Sequence, residues 1–129
     1  MRRLLLDTAT FLWVINDSPE LSSQARESFV DSENEVYLSS VSAWEISIKY
    51  GLGRLPLPEP PDRFLPTQRK QHGIDSLQLD EEAALHLIRL PWLHKDPFDR
   101  MLVCQAIVHN LVILTADDLV TQYPVRTMW

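Results

Sequence analysis

Short unbroken apolar runs alternate with longer stretches of helical periodicity along this chain. Leu4-Leu5-Leu6, Val36-Tyr37-Leu38 and Leu111 to Leu114 are such runs. They have the pattern of strands buried on both faces, as in a parallel sheet. Each ends at a polar residue: Asp7, Ser39-Ser40 and Thr115-Ala116-Asp117. After Asp7 the spacing predicts a helix capped by Thr8 or Thr10, with Phe11, Leu12 and Ile15 apolar, broken by Asn16-Asp17-Ser18-Pro19. A more polar helix is expected from about Ser22 to Val30. Another runs from about Val41 to Tyr50 and stops at Gly51 and Gly53.

Pro56 to Pro61 is too proline-rich for regular helix or central strand and reads as an exposed turn. A helix from about Asp62 to Gln71 follows and is stopped by Gly73. Ile74 to Leu79 alternates as an edge strand would. Asp80-Glu81-Glu82 opens a helix that ends near Pro91, the acids favouring its positive end. Asp96-Pro97 is a strong helix start, with Asp96 as the cap and Pro97 at the first helical position. That helix runs to about His109, with Asn110 as a left-handed stop. A short helix and a last strand, about Val125 to Met128, complete the pattern. Strands alternating with helices imply an α/β fold: a mostly parallel sheet of four or five strands with helices on both faces, a three-layer α/β/α sandwich.

The 129 residues suit one domain with one core, spanning 1–129. No apolar run approaches the roughly 20 residues needed to cross a bilayer. Leu4 to Leu6 follow two arginines, but Asp7 cuts the run too short for a signal peptide. The lone Cys104 can form no internal disulfide, so a reducing cytoplasm is the simplest home. A net charge of −6 argues against a passive nucleic-acid coat, yet leaves room for an enzyme whose acidic site accounts for part of that charge.

The candidate chemistry lies in Asp7, Glu45, Asp99 and Asp117, acids far apart in the chain that sit where strands end or helices begin. In an alternating α/β fold such positions converge at the carboxyl edge of the parallel strands. Carboxylates gathered there repel one another unless a cation or protons neutralise them. Oxygen-only ligands favour Mg²⁺ or Mn²⁺, and a phosphodiester is the natural substrate for a metal held in this way. Glu45 is the most telling, because it lies on or beside an apolar stripe of Val41, Trp44, Ile48 and Leu52; its ordinary alternative is an ion pair with Lys49. Asp99 lies on the helical face of Leu102, Val103 and Ala106. Thr8, Ser39, Asp96, Lys49 and Arg100 are candidates for orienting these acids or touching phosphate. The best basic patch is Arg63, Arg69, Lys70 and His72, with Lys49, Arg54, Lys95 and Arg100 as further members around the pocket; a solvated helix face is its ordinary alternative. The four histidines show no zinc spacing, and three glycines form no phosphate loop.

Five segments in order resemble the PIN-domain family, and within it the VapC-type toxins of bacterial type II toxin–antitoxin systems. They are Leu4 to Thr8, Ser39 to Ile46, Lys49 to Leu55, Asp96 to Leu102 and Leu114 to Asp117. The resemblance implies a PIN-like sandwich and a metal-dependent endoribonuclease. Asp7, Glu45 and Asp99 match the family's three core acids, Asp117 matches its more variable fourth, and Thr8 and Ser39 match its hydroxyl positions. It also implies a homodimer inhibited by a small antitoxin protein. The surplus apolar residues Phe11, Leu12, Trp13 and Val14 of the first helix are candidates for such partners. Two rival readings stand beside this one. Asp7 could be the nucleophile of a phosphotransferase, although position 9 is Ala9 and not the second acid such chemistry wants. The chain could also be a non-catalytic module whose acids bind a basic peptide.

Overall fold

Three consecutive leucines set the frame of the molecule. The computed structural model describes residues 1–129. In it Leu4, Leu5 and Leu6 form strand β1 (Arg3–Leu6) and are fully buried. Successive side chains of a strand point to opposite faces. Leu4 and Leu6 therefore join one apolar cluster, with Phe11, Val14, Ala25, Val36, Leu38, Ile46 and Leu65. Leu5 joins a second one, with Val41, Leu102, Val103, Ala106, Ile113 and Tyr123. Two cores on two faces of one sheet make the α/β/α sandwich that the alternating pattern predicts.

The elements follow in order: α1 (Thr8–Ile15), α2 (Ser23–Val30), β2 (Glu35–Ser39), α3 (Ser40–Gly51), α4 (Pro61–His72), β3 (Asp75–Leu77) and α5 (Glu81–Leu85). A 3₁₀ turn (His86–Arg89), α6 (Pro97–His109), β4 (Val112–Leu114), a second 3₁₀ turn (Val120–Gln122) and β5 (Thr127–Met128) complete the chain. The five strands are ordered β3-β2-β1-β4-β5, and every pairing is parallel. Leu5 lies opposite Tyr37 on one side and Ile113 on the other. The chain leaves central β1 toward β2 and returns later to β4 on the other flank. That reversal is where open parallel sheets form a crevice outside the carboxyl ends of their strands.

Several local details differ from the pattern-based reading, each for a tertiary reason. Asp7, not Thr8 or Thr10, caps α1, its side chain accepting from the Thr10 amide; both threonines lie within the helix. In α3 the inward residues are Val41, Ser42, Glu45 and Ile46, whereas Trp44, Ile48 and Leu52 of the expected apolar stripe are exposed. Polar pairing of Ser42 and Glu45 with Thr8 sets that phase. Phe11 and Val14 of α1 are absorbed by the core, which leaves Leu12 and Trp13 half-buried. The edge strand β3 stops at Leu77, and the helix begun at Asp80 loosens into a 3₁₀ turn after Leu85. Asp96, Pro97 and Asn110 serve α6 as expected, with Asn110 at φ 56° in the left-handed region.

Candidate active site

Asp7, Glu45, Asp99 and Asp117 line one cavity of about 550 Å³, together with Thr8, Asp96, Lys49 and Arg54. Leu12, Trp13 and Leu55 supply an apolar wall. Asp7 directly follows β1, and Asp117 lies just beyond β4. Their strands are paired, so their carboxylates arrive at the same sheet edge. Glu45 reaches the cavity from the second turn of α3, and Asp99 from the first turn of α6.

Each acid is held by neighbours. Asp7 Oδ1 accepts from the Thr10 amide at 2.8 Å, and Oδ2 accepts from the Thr115 hydroxyl. The Thr8 hydroxyl donates to Glu45 Oε1 at 2.7 Å and lies 3.0 Å from the Ser42 hydroxyl. Lys49 Nζ meets Glu45 Oε2 at 2.5 Å. The ion pair that is the ordinary reading of Glu45 is thus present, but Glu45 is only 5% exposed and faces the cavity as well. His94 Nε2 stands 3.2 Å from Asp99 Oδ2. The Asp117 amide donates to the Thr115 hydroxyl at 3.0 Å, and Asp117 Oδ1 accepts from the Leu119 amide. Asp96 accepts from the amides of Phe98 and Asp99 and so works as the cap of α6 while lining the cavity.

The electrostatics are those of crowded, shielded carboxylates. Burial pushes the Asp7 carboxyl above its ordinary range against the lowering effect of its hydrogen bonds to Thr10 and Thr115, and the charge of Asp117 adds to the rise. Burial, reinforced by the negative charge of Asp96, pushes Asp99 up to about 6; the bond from His94 opposes this, and Asp117 and Asp7 add to it. A cation in the cavity would relieve this strain. The donors are oxygens of the kind that hard divalent ions prefer. As the side chains stand, no group of three or more His, Cys, Asp and Glu residues is gathered tightly enough to hold a metal ion by itself. One or two carboxylates, completed by waters and a phosphate oxygen, are the ligand set that ions such as Mg²⁺ and Mn²⁺ accept.

Two expected contributors lie elsewhere. The Ser39 hydroxyl is buried, donates to the Gln105 side-chain oxygen Oε1 at 2.5 Å and caps α3 by accepting from the Val41 amide. Arg100 is buried on another face of α6, where it donates to the Pro91 carbonyl and the Tyr123 hydroxyl. Arg63, Arg69, Lys70 and His72 of α4, and Lys95, do not line the cavity, whereas Lys49 and Arg54 do. The pattern-based reading overlooks Thr115, Ser42 and His94 as partners of the acids. Thr115 had one visible signal, its place between a buried strand and Asp117.

Residues 4–124 match the family model described as PIN domain. Over 64 residues the chain is 38% identical to Ribonuclease VapC16 of Mycobacterium tuberculosis; the aligned stretch is 50% of this chain and 45% of that protein. The fold is similar to that of a chain in VapBC2 from Rickettsia felis bound to a promoter DNA fragment, with a TM-score of 0.73 and 16% identity over 98% of this chain and 97% of that one. It is also similar to a chain of DNA-bound VapBC from Salmonella typhimurium (TM-score 0.69, 23% identity, 99% and 98% covered). FitAcB from Neisseria gonorrhoeae gives 0.63 at 20% identity, covering 98% and 96%.

Proposed function

Because this chain belongs to the PIN-domain family, we propose that it is a Mg²⁺- or Mn²⁺-dependent endoribonuclease, the toxin of a type II toxin–antitoxin pair. The observation that carries the reading is the meeting of four acids, from residues 7, 45, 99 and 117, in one cavity at the carboxyl edge of a parallel sheet. The relative named as a ribonuclease and the neighbours solved in VapBC complexes support it. RNA is the substrate, a small antitoxin protein and a second copy of the chain are the partners, and the cytoplasm is the site of action. No helix is long and apolar enough to cross a membrane.

Asp7, Glu45 and Asp99 would hold the metal, directly or through water, with Asp117 completing the set. A bound divalent ion supplies a more acidic attacking water and positive charge for the phosphate oxygens during in-line displacement. The protein's own groups do the rest. Thr115 and the Thr10 amide fix Asp7, and Thr8 fixes Glu45. Lys49 and Arg54 place cationic groups in the cavity, where an RNA phosphate can pair with them. The phosphotransferase alternative asks for an acid where Ala9 stands, and Ala9 lines the cavity.

Asp7→Asn tests the reading. It keeps the helix cap, since Asn caps as well as Asp, so the thermal midpoint should change little. Cleavage of RNA in Mn²⁺ should fall by a factor of about 100 or more. Undiminished cleavage by a folded Asp7→Asn chain rejects the assignment.

A further inference from the structure

We propose that His94 is a positioning residue for Asp99, set in its working tautomer by a hydrogen-bond chain that runs from Arg100 through Tyr123. The proposal rests on the reading of the cavity as a nuclease site. Of its residues, His94, Tyr123 and Arg100 lie outside the cavity lining that holds Asp99, and its key prediction is a property of the free protein.

The chain of bonds has a direction. The Arg100 guanidinium is buried and can only donate; it gives one N–H to the Pro91 carbonyl at 2.9 Å and one to the Tyr123 oxygen at 3.0 Å. Its central carbon lies over the Trp92 ring, 4.3 Å from the centroid, a contact that helps to hold the guanidinium in place. The His94 amide also donates to the Tyr123 oxygen, at 3.3 Å. A phenol oxygen accepts two such bonds and has one proton of its own to give. Both acceptor positions are taken, so the Tyr123 proton goes to the remaining neighbour, His94 Nδ1, 2.7 Å away. A proton on Nδ1 would face an oxygen with no lone pair left.

The consequence appears on the other side of the ring. With Nδ1 as an acceptor, the ring hydrogen lies on Nε2, 3.2 Å from Asp99 Oδ2. His94 then donates to Asp99. The His94 side chain is only 10% exposed and packs against the Tyr123 ring with centroids 5.4 Å apart, so it has little freedom to swing away. One Asp99 oxygen is engaged, and the other has no protein donor. This is how an outer hydrogen bond sets the direction of a metal-binding carboxylate. Without it Asp99 could rotate, and its free oxygen would no longer be aimed by the protein.

The test uses the full chain, labelled with ¹⁵N-histidine, and Mn²⁺ as the probe. In the metal-free wild type, long-range ¹H–¹⁵N spectra should show His94 as the Nε2–H tautomer, and Tyr123→Phe should lose that uniform state. Mn²⁺ binding followed by electron paramagnetic resonance should weaken by about tenfold or more in His94→Ala and in Tyr123→Phe. With RNA, both variants should lose kcat by about tenfold while KM stays near the wild-type value. His94→Gln places an amide N–H near the position of Nε2 and should recover to within about threefold of wild type. A merely structural role would depress all three variants in step with their thermal midpoints and would not spare His94→Gln. If His94→Ala or Tyr123→Phe does not fold, the wild-type tautomer and His94→Gln decide. An Nδ1–H tautomer in the wild type, or a folded His94→Ala with wild-type Mn²⁺ affinity and kcat, overturns the proposal while the nuclease reading stands. A wild-type chain that neither binds Mn²⁺ nor cuts RNA overturns that reading, and the positioning role with it.

Discussion

A carboxylate shielded from water and faced by other acids costs free energy once it ionises, and Asp99 shows where that cost falls. Its carboxyl is pushed from an ordinary 3.8 to about 6, so the folded state binds the proton more tightly than the unfolded chain. The stabilisation this gives is fully present below about pH 4 and is lost as the pH rises through about 6. The full shift would correspond to about 3 kcal/mol, and solvent at the cavity mouth reduces that to about 1–2 kcal/mol. In EDTA, Asp99→Asn should therefore be more stable than wild type at pH 7.5 by about 1–2 kcal/mol, with no gain at pH 4, while its cleavage is lost. Urea midpoints at the two pH values check this. Asp7, Asp99 and Asp117 could be picked out in the sequence because each stands just after an apolar run or in the first turn of a helix, and Glu45 because it lies beside an apolar helical stripe. Arg100 was not, because consecutive helical residues point roughly 100° apart and its neighbour Asp99 takes the cavity side. His94 was hidden because its role depends on Tyr123, which lies 29 positions away.

Helix termini were the most readable elements, since their chemistry is local. Asp96 caps α6 through two amides, Pro97 follows at the first turn, and Asn110 closes the helix at φ 56°. Asn tolerates that backbone better than branched residues do. Asn110→Gly should hold stability within about 0.5 kcal/mol, and Asn110→Val should cost about 1–2 kcal/mol, as read by chemical denaturation. The phase of α3 was harder to read. Trp44, Ile48 and Leu52 make the better apolar stripe, yet the helix turns Ser42 and Glu45 inward, because Thr8 of α1 offers them partners. Periodicity cannot see a hydrogen bond made across the sheet edge. The loosening of the helix after Leu85 was equally invisible, since no proline or glycine marks it.

For the molecule as a whole, strand order decides what meets what. Central β1 is flanked by β2 and β4, so the residues that follow these strands share one edge. Mn²⁺ bound there should raise the thermal midpoint of the wild type by several degrees and leave Asp7→Asn nearly unmoved, as differential scanning fluorimetry would show. The outward face of α3 carries Trp44, Ile48 and Leu52 at 58%, 39% and 61% exposed. This face exposes more large apolar side chains than α1 does, so it is the one that the proposed second copy should cover. Ile48→Asp should shift the sedimenting species from dimer to monomer, and an unchanged dimer would move the interface elsewhere. The scatter of the acids from position 7 to position 117 has a bearing on the cell that makes this protein. While the ribosome is still synthesising the chain, the cup stays open on one side until Asp117 has been added, more than a hundred residues after Asp7. A product that ends before Asp117 lacks one of the four acids that line the cavity, so a nonsense codon or frameshift upstream of that position should abolish the proposed cleavage.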